Sequence, residues 1–110
     1  MLEEPAFAPL FGPEARAEVP LVGVVGGRTL SGQIDRLLVT DQAVWVVDYK
    51  TNRPPPQTVA EVPALYRRQM ALYRQALRAL WPERAIRCLL LWTDGPSLME
   101  LPGDLLDAAA

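Results

Sequence analysis

Apolar runs broken by short clusters of turn formers set the expected elements of this chain. From Ala15 to Val25 it is rich in valine and leucine, Gly26-Gly27 supplies a tight turn, and Arg28 to Val39 resumes the pattern, which predicts a β-hairpin. Thr40-Asp41-Gln42 predicts a second turn. Ala43-Val44-Trp45-Val46-Val47 then forms a continuous apolar run of the kind seen in a strand covered on both faces. The three segments are expected to pair as an antiparallel meander. Asn52-Arg53-Pro54-Pro55-Pro56 suits neither helix nor interior strand, because proline lacks a backbone donor and restricts the residue before it. Pro63 fits a first helical turn, and Ala64 to Leu80 consists almost wholly of good helix formers, ending at Trp81-Pro82. Leu65, Leu72, Ala76 and Leu80 mark the expected inward stripe, with Arg67, Arg74 and Arg78 largely outside it. Ile86 to Thr93 reads as another buried strand, turned by Asp94-Gly95-Pro96 so that Leu98 to Leu101 pairs back. The order predicts an α/β fold of the α+β mixed-sheet kind, with a helix on one face. Residues 1–14, with three prolines, are expected to be an irregular leader, 15–101 the core and 102–110 a C-terminal tail.

A chain of 110 residues has room for one core. No apolar run approaches the ~20 residues of a membrane helix, and the N-terminus lacks the basic and apolar regions of a signal peptide. A cytoplasmic location without membrane contact is the expectation. Cys88 is the sole cysteine, which excludes an internal disulfide and a four-cysteine cluster, and its place inside CLLLW reads as a buried small residue. There is no histidine, so Ser-His and Cys-His pairs and histidine-ligated zinc are excluded, leaving carboxylates, lysine, tyrosine and backbone for chemistry. The net charge of −2 argues against a free-standing nucleic-acid binder, but it is unevenly spread. Residues 67–87 carry six arginines against Glu83, enough for one end to meet phosphate. Ten of the eleven basic residues are arginine, and Lys50 is the only lysine. Its role would suit a compact ammonium better than a planar guanidinium.

Along an extended strand side chains alternate, so Asp48 and Lys50 point one way and Tyr49 the other. Asp35 precedes Asp48 by twelve intervening residues, which suits a hairpin turning near 40–42 with both aspartates at one height. Glu18 lies in the strand before. Three carboxylates converging at one end of a sheet would repel, and a divalent cation relieves that repulsion. Oxygen ligands suit Mg²⁺ or Mn²⁺, and Lys50 beside the cation would stabilise charge developing on phosphoryl oxygens. The same residues also read as a surface ion pair at an edge strand. Gln69 and Tyr73 are four apart on one helical face, with Tyr66 three before Gln69. The tyrosines fit a core position, whereas the glutamine between them needs a polar partner.

AEVPLVG (17–23), SGQIDRLLV (31–39), VVDYKTNR (46–53) and YRRQMALYRQAL (66–77) together resemble the PD-(D/E)XK nucleases, and within them the nuclease domain of AddA-type and RecB-type helicase–nucleases. The order Gly-x-x-Asp, Asp-Tyr-Lys-Thr, Gln-x-x-x-Tyr carries the resemblance. It implies a restriction-endonuclease-like core and Mg²⁺-dependent (or Mn²⁺-dependent) exonucleolytic hydrolysis of DNA. Asp35, Asp48, Glu18 and the Tyr49 backbone carbonyl would be metal ligands, and Lys50 the catalytic lysine. Gln69 and Tyr73 would shape the site or contact DNA. It also implies a parent protein that processes double-strand break ends for repair. DNA ends and an AddB-like second subunit would be its partners, with ATP used only by the helicase part. The family's first helix and its histidine are absent here, so the sequence reads as a C-terminal fragment with one sheet face open to borrowed packing or self-association. Its activity in isolation would depend on that missing helix. A non-catalytic end-binding or subunit-docking module, and a stand-alone RecB-like exonuclease, are the alternative readings.

Overall fold

Five strands in sequence order form one mixed sheet. The computed structural model describes residues 9–94 and 96–109. Strand β1 (Arg16–Val25) and β2 (Arg28–Val39) pair antiparallel around Gly26-Gly27, both at positive φ as a two-residue hairpin turn requires. β3 (Ala43–Lys50) completes the antiparallel meander. The chain then leaves through the proline segment, makes a single 3₁₀ turn at Val59–Glu61 and enters α1 (Ala64–Leu80). That crossover returns β4 (Ala85–Trp92) parallel to β3. β5 (Ser97–Leu101) pairs antiparallel with β4, and α2 (Gly103–Ala109) follows where the sequence suggested only a tail. The expected α+β mixed sheet is the observed fold.

The central strands are buried on both faces, as their unbroken apolar runs require. On the helix side, Ile34, Val44, Val46, Leu90 and Trp92 pack beneath Met70, Ala71, Tyr73 and Leu77 of α1, with Leu106 of α2 at the margin. On the other side Leu10, Leu38, Val47, Leu89 and Leu91 form a smaller cluster. Residues 1–8 of the expected leader lie outside the described residues, but Leu10 within it is 1% exposed and seals part of that second face. The Arg36 Nε donates to the Leu10 carbonyl at 2.7 Å and fixes the segment there. No helix among the described residues is long and apolar enough to cross a membrane.

The inward stripe of α1 keeps Ala76, buried, and Leu72, half-buried, but loses its two ends. Leu65 and Leu80 are 73% and 61% exposed, while Met70, Ala71, Tyr73, Ala76 and Leu77 are buried. The cause is close approach: small residues let the helix sit low on β1 and β2. A Cβ on Gly23 would lie 3.8 Å from that of Ala76, and one on Gly32 would lie 2.5 Å from the Tyr73 hydroxyl.

Candidate active site

β2, β3 and α1 each send residues to one end of the sheet. The β2–β3 register pairs Arg36 with Val47, so one step further sets Asp35 opposite Asp48. Asp48 is buried, the one buried polar or charged residue among those described. Its Oδ2 lies 2.6 Å from Lys50 Nζ on the same strand face, as period-two alternation demands. The ammonium also donates to Gln69 Oε1 at 3.0 Å, and Gln69 Nε2 donates to the Tyr73 hydroxyl at 3.3 Å. Asp35, Asp48, Lys50, Gln69 and Tyr73 are therefore brought together. The glutamine that needed a polar partner finds two.

Glu18 is placed differently. The β1–β2 register sets it level with Asp35, but it adopts φ 56°, is exposed, and interrupts the ladder between Ala17↔Arg36 and Val19↔Ile34. At the same level β2 slips its alternation: Ile34 and Leu37, three apart, both join the helix-side core. Among the described residues no three Asp, Glu, His or Cys side chains gather as a metal-binding group. The slip aims Asp35 across the strand end, where its Oδ2 accepts a 2.8 Å hydrogen bond from the Tyr49 N–H.

Burial pushes the Asp48 carboxyl up to about 6, and the neighbouring Asp35 carboxylate adds to the shift, while Lys50 opposes it by hydrogen bonding and charge. The Lys50 ammonium, 2.6 Å from Asp48 Oδ2, is the cationic partner of that buried carboxyl. Two adjacent carboxylates, one of them buried and raised by its neighbour, form a hard-oxygen donor set that fits a small divalent cation. Cys88 takes no part: it is buried and its thiol is pushed up to about 12 by desolvation.

Sequence reasoning did not find the support beneath Lys50. Its Nζ lies 4.2 Å from the centroid of the Tyr66 ring, and the Tyr66 hydroxyl donates to Asn52 Oδ1 at 2.9 Å. The three-residue offset of Tyr66 from Gln69 was the available signal.

A mixed sheet with this cluster at the end of adjacent strands is the restriction-endonuclease-like arrangement. Residues 3–101 match the family model of the PD-(D/E)XK nuclease superfamily. The chain belongs to that superfamily. An ATP-dependent helicase/nuclease subunit from Oceanobacillus iheyensis is 32% identical over 77 residues, covering 66% of this chain and 6% of the relative. The chain thus spans a small part of the length of the curated relative it matches. The crystal structure of SSO0001 aligns at TM-score 0.46 and 18% identity over 86% of this chain and 46% of that one.

Proposed function

We propose that this chain is a divalent-metal-dependent DNase domain, cutting phosphodiester bonds exonucleolytically at DNA ends within an AddA-type helicase–nuclease that works with a second, partner subunit. The observation that carries the reading is the Lys50 ammonium held between Asp48 and Gln69 with Asp35 alongside. Asp35, Asp48 and the Tyr49 carbonyl would hold Mg²⁺ or Mn²⁺, and Glu18, exposed and level with Asp35 on β1, would reach the cation only by turning toward it. When bound, the cation supplies Lewis acidity and a more acidic water.

The protein's own residues account for the rest. Ionised Asp48 and Asp35 provide the negative field that recruits the cation. Lys50 offers an N–H to a phosphoryl oxygen, stabilising charge as the phosphorus–oxygen bond breaks. Gln69 fixes the ammonium's direction, Tyr73 fixes Gln69, and the exposed Arg68 and Arg78 of α1 supply sequence-independent attraction for the DNA backbone, whereas Arg74 is taken up by Asp107. In the parent protein, with linear DNA and Mg²⁺ or Mn²⁺, Asp48→Ala or Lys50→Ala is expected to lower cleavage on the order of a hundredfold or more. Unchanged cleavage in both variants refutes the assignment.

A further inference from the structure

Lys50 has three neighbours, and a bound cation would leave them unequal. Asp48 is shared between Lys50 and the proposed metal, so its hold on the ammonium weakens when its oxygens turn to a cation. Gln69 is a single neutral acceptor. The third neighbour is the face of Tyr66, 4.2 Å from Nζ, and an aromatic face attracts a cation without competing for metal.

The ring is itself fixed from two directions. Its hydroxyl donates to Asn52, two residues beyond Lys50 at the mouth of the proline segment. Its other neighbour is Trp92, with ring centroids 6.1 Å apart and planes tilted by 42°. Trp92 is fully buried and stands opposite Lys50 in the parallel β3–β4 register, so it forms a rigid wall. A side chain needed only to fill the core would not require its face under the one lysine and its hydroxyl on the strand exit.

We infer that Tyr66 is a positioning residue, whose ring face, held by Asn52 and Trp92, keeps the Lys50 ammonium at the site when Asp48 is engaged elsewhere. The inference rests on the nuclease reading for its catalytic consequence, but its geometry stands apart from activity. The chain's single lysine makes that geometry directly measurable.

Labelling the chain with ¹³C,¹⁵N-lysine gives one side-chain spin system. A methylene and ammonium over a ring face resonate upfield of free lysine. The wild-type chain is expected to show this shift, to keep it at saturating Mg²⁺, which is diamagnetic, to retain it in Tyr66→Phe and to lose it in Tyr66→Leu. A wild-type lysine signal at the free position, or one unchanged by Tyr66→Leu, overturns the inference whatever the activity. In the parent protein, Tyr66→Leu is expected to lower kcat about tenfold at unchanged KM, with Tyr66→Phe restoring most of it. An unaltered kcat in Tyr66→Leu also overturns it. Absent cleavage in the wild-type parent, with the upfield shift intact, instead refutes the nuclease reading and leaves the ring-lysine arrangement standing.

Discussion

At the residue scale, Asp48 decides how the site responds to pH. Its carboxyl is raised to about 6 chiefly by burial, so the folded state binds its proton more tightly than the unfolded chain, whose carboxyl stays near 3.8. The stability this group contributes is fully present below about 4 and is lost as pH rises through about 6, a decline on the order of 2 kcal/mol. Asp48→Asn removes the decline. Urea unfolding without divalent cations is expected to show the variant gaining stability relative to wild type between pH 4.5 and pH 7; parallel pH curves for the two would contradict the assignment. Part of this residue-level picture was legible in the chain. The twelve residues between Asp35 and Asp48, centred on a turn at 40–42, set their common height, and strand alternation put Lys50 beside Asp48. The left-handed Glu18, the slip between Ile34 and Leu37, and the Tyr49 N–H bond to Asp35 were not legible. Each depends on how two strands bend together, and no local propensity encodes that.

At the scale of elements, α1 and β2 meet at a contact with almost no slack. Gly32 places backbone where any side chain would strike Tyr73, whose ring is 4% exposed and has no room to retreat. Gly32→Ala is therefore expected to destabilise the fold by about 1–3 kcal/mol through overpacking. Removing the hydroxyl opens space at the point of collision, so Gly32→Ala combined with Tyr73→Phe should be less destabilised than the sum of the two single variants. A double-mutant cycle by thermal or urea unfolding measures this coupling, and strict additivity would deny the contact. The same closeness explains why the ends of the expected stripe, Leu65 and Leu80, stand exposed while Ala76 is buried and Leu72 half-buried. The span from Ala64 to Leu80 follows from composition and the bounding prolines, but more than one helical row satisfies a 3.6-residue period. The leucine row, Leu65 and Leu80 included, is the bulkier one. The buried row runs through Met70, Tyr73 and Leu77 and shares Ala76 with the expected stripe, Ala76 lying against Gly23 and Tyr73 against Gly32.

At the scale of the whole molecule, the fold puts the one buried charge among the described residues, its one lysine and a hydrogen-bonded glutamine and tyrosine at the same end of a doubly covered sheet. An apolar core tolerates such a cluster only where some further interaction offsets the desolvation of Asp48. Lys50 offsets part of it, yet the carboxyl remains raised, with a second carboxylate beside it. A structural ion pair evolved for stability alone would have no reason to keep Asp35 beside Asp48, since a second carboxylate makes the first harder to ionise. A cation reverses that balance, turning both acids from a repulsive pair into ligands. It follows that divalent cations should stabilise the chain as a whole by mass action, by about 2.7 kcal/mol at a hundredfold excess over Kd. For a domain of this size that is a rise in Tm of roughly ten degrees or more. The rise with Mn²⁺ is expected at pH 7, where Asp48 is ionised, and should shrink at pH 5, where protons compete for the same oxygens. Asp48→Ala should abolish it at both. A module that only docks against DNA ends or a neighbouring protein has no need of ionised carboxylates, and for it the melting temperature would be indifferent to Mn²⁺ at either pH.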